Sequence, residues 1–301
     1  MSLRITNSWV LSVALLSSFA MPAGAVSVFS SVGADAAAVQ GSVDAFRAAL
    51  GANNGLGACV SAACLAGQGR REINWDAVPD SASTPNGFSG SFFNQASAAP
   101  AARVRGARFT TPGSFAVSAD SDSDNDGNPG PLATEFGNLN SQSADQFAAF
   151  SAQRIFGLLG TNTMDVLFDL AGSPGTAASV RGFGVVFTDV EVADLTTLEF
   201  FDAQGHLLFT QSAEPFPFVG SDSFGSFSFV GVLFDTPLVA RVHLTVGEFD
   251  AAFMQVPGSG GRDAVAMDDF IYGEPTVVPL PPSALLLGAS LVGLLARRRR
   301  T

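Results

Sequence analysis

The sequence predicts a mainly β fold: an antiparallel β-sandwich or jelly-roll-like domain, preceded by a short helical N-terminal segment. Three observations carry that expectation. Several short runs alternate apolar and polar residues with the period of two that a half-buried strand requires. Gly, Pro and Asp turns separate these runs at short intervals. The aromatics are lopsided, with 27 Phe against one Tyr and two Trp. Phenyl rings suit a layer between two sheets, because they fill space and carry no hydroxyl that needs a partner.

The elements follow in chain order. Residues 26–69 are Ala-rich and read as a helical and loop segment. Within it Val39, Val43, Phe46, Ala49 and Leu50 recur at helical spacing, and Gly51 with Asn53-Asn54-Gly55 stops the pattern. Cys59 and Cys64 follow in a loop of small residues; two Cys in an exported chain favour a local disulfide. From Arg70 the texture turns β, and residues 70–275 are expected to form the sandwich domain. Residues 164–170 form one strand. Residues 180–188 are apolar on both faces, as a central strand is. Leu198 and Phe200 alternate with Glu199, the Asp202-Ala203-Gln204-Gly205 stretch turns, and residues 206–210 return as the second arm of a hairpin. Phe227 and Phe229 alternate with Ser226 and Ser228, and Gly231 invites a bulge. In residues 239–246 the apolar Val242, Leu244 and Val246 oppose Arg241, His243 and Thr245. A last strand spans residues 264–272.

Composition excludes several functions. All 15 basic residues are Arg, so a P-loop Lys, a Schiff-base Lys and a Ser-Lys pair are absent. The net charge of −12 is spread without a basic stripe through the body, which makes nucleic acid a poor partner. No Gly-x-Ser-x-Gly elbow occurs, and His206 and His243 are the only imidazoles. No catalytic set is therefore expected, and the chain is read as a non-enzyme.

Four carboxylates stand out. Asp120, Asp122, Asp124 and Asp126 alternate with small polar residues and precede Gly127. Closely spaced hard oxygens followed by a Gly turn are how a Ca²⁺ loop begins. Ala133 stands where the twelve-residue helix-loop-helix version needs a Glu, so the segment offers either a looser Ca²⁺ loop between strands or a solvated acidic loop whose charges repel. Asn74, Asp76 and Asp80 flank Trp75 and offer either an oxygen cluster with a sugar platform or a turn with its Trp packed inside. Asp268 and Asp269 offer either a metal site or an ordinary pair, one capping a turn and one facing water.

The two ends read as addresses. Arg4, the mostly apolar residues 10–21 and the small Ala23-Gly24-Ala25 form a secretory signal peptide over residues 1–25. At the other end Val278-Pro279-Leu280-Pro281-Pro282 leads into the apolar or small residues 283–296, and four Arg, Arg297 to Arg300, precede the final Thr301. With the preceding segment this makes a short membrane span, its Arg run held on the cytoplasmic side. The layout resembles the PEP-CTERM sorting signals in their Val-Pro-Leu-Pro-Ala variant, with Pro282 where that variant has Ala. The resemblance covers residues 276–301. It implies processing by an exosortase-type membrane enzyme, transient anchoring in the inner membrane, and export to the envelope, the surface or beyond. It also implies an association with exopolysaccharide. The segments around Trp75, Phe183, Phe229 and Asp268 are similar to recurring segments of uncharacterised exported bacterial proteins, which implies a shared β-rich fold. Losing both ends would remove five Arg and no acid, leaving 10 Arg against 27 acids and a net charge of −17. The leading expectation is a non-catalytic surface or extracellular-matrix protein. The alternatives are a calcium-dependent carbohydrate-binding jelly-roll module and a secreted hydrolase that uses carboxylates.

Overall fold

A computed structural model describes residues 25–119, 135–141, 143–151, 153–216, 225–251 and 263–278. The expected signal peptide over residues 1–25 and the expected sorting signal over residues 276–301 lie outside the described residues, apart from Ala25 and residues 276–278. No helix among the described residues is long and apolar enough to cross a membrane.

Strand β1 (Val26–Gly33) opens the chain and helix α1 (Ala36–Leu50) follows. Asp35 starts the helix, its carboxylate accepting the Ala38 N–H at 2.9 Å. The predicted apolar stripe is buried at Val39, Val43, Phe46 and Leu50, and Ala49 sits half-buried at its margin. Gly51 ends the helix at φ 102°, a conformation that an L side chain resists. A single turn, α2 (Ala62–Leu65), lies in the loop closed by the Cys59–Cys64 disulfide. Then come β2 (Arg70–Ile73), β3 (Ala107–Thr110), β4 (Ser114–Val117), the short α3 (Ser143–Gln146), β5 (Phe156–Leu159), β6 (Thr163–Phe168) and β7 (Ala178–Ser179). The last elements are β8 (Gly182–Thr188), β9 (Thr197–Phe201), β10 (Leu207–Ser212), β11 (Phe227–Phe234), β12 (Arg241–Thr245), β13 (Ala266–Gly273) and β14 (Thr276–Val277).

The fold is a mainly β, antiparallel sandwich. One sheet has the order β1-β11-β8-β13-β5-β4 with β2 also on β13, and the other has the order β10-β9-β12-β6-β3. From β8 onward the chain crosses repeatedly between the sheets, with β9 and β10 paired as a hairpin in the second. Phe183, Val185 and Phe187 of β8 face inward with Val230 and Val232 of β11. They meet Val166, Leu198, Phe200, Val242 and Leu244 of the second sheet.

The larger sheet is buried on its outer face as well. Val186, Phe229 and Ile271 lie under Val39, Val43 and Phe46 of α1. Farther along, Ala116, Ala264 and Ala266 lie under Phe136, Phe147 and Ala251. This double cover explains why β8 and β13 have no exposed face, whereas burial alternates strictly along β9 and β12.

Two readings change. The segment before Arg70 is not only helix and loop, because Val26–Gly33 pairs along its whole length with β11. Gly231 makes no bulge: it pairs in unbroken register with Phe29 on one side and Gly184 on the other. The irregularities fall instead in β10, between Leu207 and Phe209, and in β13, between Met267 and Phe270.

Candidate functional site

The four predicted Ca²⁺ ligands, Asp120, Asp122, Asp124 and Asp126, lie outside the described residues. The group around Trp75 is described, and it is an internal structure. Trp75 is 1% exposed. Its ring stacks on Phe156 with centroids 4.0 Å apart and meets the edge of Phe270 at 5.1 Å. A sugar platform needs an open ring face, and this ring has none. Asp76 accepts the Gln153 and Arg154 N–H groups at 2.6 and 3.1 Å, and Asp80 holds the Arg154 guanidinium at 2.5 Å. The Asn74–Asp80 turn is thereby tied to the segment leading into β5.

Asp268 and Asp269 sit in the β13 irregularity, where one extra residue is inserted opposite β8. The bulge aims both carboxylates at Ser151, which donates its hydroxyl to Asp268 at 3.3 Å and to Asp269 at 2.8 Å. Asp268 also accepts the Phe150 and Ser151 N–H groups at 2.7 and 3.0 Å, so it does cap a turn. Asp269 does not face water. It is 2% exposed and accepts from Arg47 of α1 at 2.8 Å. Burial pushes both carboxyls up, each carboxylate is further raised by acidic neighbours, and Arg47 opposes the shift at Asp269.

The sign of the pH dependence follows from those shifts. A carboxyl held above 3.8 keeps its proton longer folded than unfolded, so its contribution to stability falls as pH rises above about 4. Asp268→Asn retains an acceptor for the two N–H groups and removes one charge from a site shared with Asp269, Asp76, Glu72 and Arg47. The expected outcome is a flatter decline of stability between pH 4 and neutrality than in the parent chain. Urea denaturation at a series of pH values measures it, and an unchanged slope would show that Asp268 does not titrate there.

The outer face of the smaller sheet carries a polar row. Asp165 of β6 accepts from Arg241 at 2.7 Å and lies 2.9 Å from His243 Nδ1, both on neighbouring β12. The Arg241 guanidinium lies over the Phe201 ring at 3.8 Å. All three polar side chains are about one-third exposed. His206 is instead a turn residue, paired with Asp202 at 3.0 Å.

One group among the described residues brings three candidate ligand atoms within 4.8 Å of one another, from Cys59, Cys64 and Glu274. Both sulfurs are in the disulfide, and Glu274 accepts three bonds from Arg71 at 2.8–2.9 Å, so these donors are already engaged.

Sequence reasoning missed Asp189 and Asp263. Asp189 follows the last residue of β8, has φ 70°, and is fully buried. Asp263 precedes β13 and accepts the Glu191 and Val192 N–H groups at 3.2 and 3.3 Å. Burial raises the Asp189 carboxyl to about 9 and the Asp263 carboxyl to about 7, with acidic neighbours adding to both shifts. The available signal was an Asp closing an otherwise apolar strand in Phe187-Thr188-Asp189-Val190. No family model, no curated protein and no solved structure matches this chain.

Proposed function

We propose that this chain is a non-catalytic, exported component of the cell surface or extracellular matrix. On this reading it is sorted by an exosortase-type enzyme, anchored in the membrane until processed, and associated with exopolysaccharide. The observation that carries the reading is where the sequence keeps its large polar aromatics. Outside the signal peptide the chain has one Trp and one Tyr. Both are internal, Trp75 at 1% and Tyr272 at 0% exposure. A surface that recognises a defined sugar tightly uses exposed rings of this kind. A packing component of a matrix needs only a durable acidic body and an address.

A second reading, a carbohydrate-binding module, is favoured by the Asp165–Arg241–His243 row with Phe201 beside it. Carboxylate, guanidinium and imidazole in one row match the hydrogen-bonding needs of sugar hydroxyls.

Two measurements test the proposal together. The intact mass of protein released from the surface should lack Arg297 to Arg300, and a retained tail would sink the sorting claim. A glycan array, run with and without calcium, should show no tight binding to a single defined sugar. A strong hit lost in Arg241→Ala would establish the second reading instead.

A further inference from the structure

We propose that Asp189 is the carboxylate ligand of a hard divalent cation, Ca²⁺ by its donor chemistry, seated where β8 and the entry to β13 meet. This site is separate from the Asp120–Asp126 loop and does not depend on the matrix reading.

The first observation is a carboxylate with nothing to hold it. Asp189 is 0% exposed, and neither of its oxygens has a hydrogen-bond partner among the described residues. The Gln146 amide, which donates to Ala264 O at 3.2 Å, lies near enough to favour ionisation of Asp189 but makes no hydrogen bond of normal geometry to either carboxylate oxygen. Protonation removes the charge and leaves a buried O–H and C=O still unmatched, so it does not resolve the cost.

The second observation is the company it keeps. The charged neighbours that raise Asp189 are Glu191 and Asp263, and those that raise Asp263 are Glu191 and Glu248. All are acids. Ser226, whose carbonyl accepts the Asp189 N–H at 2.9 Å, adds a buried hydroxyl without a partner. The donors are all oxygens, both imidazoles are engaged elsewhere, and both sulfurs are in the disulfide. Oxygen-only donors select Ca²⁺ or Mg²⁺, and Ca²⁺ accepts the less regular ligand set. No three carboxylates among the described residues have their oxygens within 4.8 Å of one another. The ion is therefore completed by carbonyl, hydroxyl or water oxygens, which places it in the weak class of roughly 10⁻⁴ to 10⁻³ M.

The third observation is the backbone conformation. Asp189 holds φ 70°, in the left-handed region that Asp enters at a modest cost and glycine enters freely. This also supplies a clean variant. Asp189→Gly deletes the carboxylate at a φ that glycine adopts freely, so it relieves strain as it removes the ligand.

The test uses the purified full chain, stripped with chelator and titrated with CaCl₂. Its readouts are melting temperature and calcium bound per chain. The parent chain should bind Ca²⁺ and gain roughly 5 °C at 10 mM. Asp189→Gly and Asp189→Asn should be at least as stable as the parent in chelator and should lose that gain. A triple Asn variant at Asp122, Asp124 and Asp126 should keep it. The proposal is overturned if the parent gains nothing from calcium, if either Asp189 variant keeps the full gain, or if the triple variant alone abolishes it. A Gly variant that melts well below the parent in chelator would also overturn it, because Asp189 would then be a structural partner and not an unmatched ligand.

Discussion

Arg71→Met is expected to cost about 3–5 kcal/mol of folding stability, the largest loss from any single polar substitution in the body. Arg71 projects from β2, is 1% exposed, and meets Glu274 just past the end of β13. Its Nε donates to both carboxylate oxygens at 2.9 and 2.8 Å, and Nη2 donates to Oε1 at 2.8 Å. Nη1 donates to the Gly57 and Val104 carbonyls at 2.7 and 3.2 Å. One guanidinium thus joins the disulfide-bearing loop, the segment before β3 and the end of β13. Removing it leaves a buried carboxylate, the buried Val104 carbonyl and the half-buried Gly57 carbonyl short of donors, and the orphaned charge dominates the cost. Arg71→Lys should recover little, since an ammonium cannot bridge a carboxylate and two carbonyls with the same fork. The double variant Arg71→Met, Glu274→Leu should be clearly more stable than Arg71→Met alone, because it removes the unpaired charge. Urea denaturation of the three variants measures this. A double variant no better than the single would place the loss in the two carbonyl bonds instead.

This pair marks the boundary of what the sequence makes legible. Glu274 lies 203 positions from Arg71, and no local period links them. Local periodicity did foretell the elements it governs. The β9–β10 hairpin, the alternation of β12, the central place of β8 and the buried stripe of α1 all follow from spacing over a few residues. β1 escaped because Val26–Gly33 is rich in small residues and mixed in burial, and only its pairing with β11 makes it a strand. The Asp268–Asp269 pair was visible as chemistry. Its burial was not, because the bulge that turns both side chains inward arises from pairing with β8. Asp189 was hidden for a related reason: its lack of partners is a property of three segments brought together, not of its neighbours in sequence.

Gly231 carries the second large effect. Its Cα pairs with Gly184 across β11 and β8, and together they leave a hollow in the outer face of the larger sheet. Phe46 of α1, itself 0% exposed, sits over that hollow. A Cβ on Gly231 would lie 2.8 Å from Phe46 Cγ and Cδ2, and one on Gly184 would lie 2.8 Å from Phe46 Cε1. Two glycines side by side thus let an aromatic ring approach the sheet backbone, and that contact seats the helix. Phe46→Ala should cost about 3–5 kcal/mol, from lost burial together with the cavity it leaves. Gly231→Val should cost about 1–3 kcal/mol or more, since the ring must lift and carry α1 with it. The two losses share one volume, so they should not add. Combined in one chain, the Val methyls occupy space that the phenyl ring vacates, and the double variant should be more stable than the sum of the single losses predicts. Strict additivity in urea denaturation would mean that the ring and the glycine do not oppose each other. The helix would then be held by Val39, Val43 and Leu50 without the hollow.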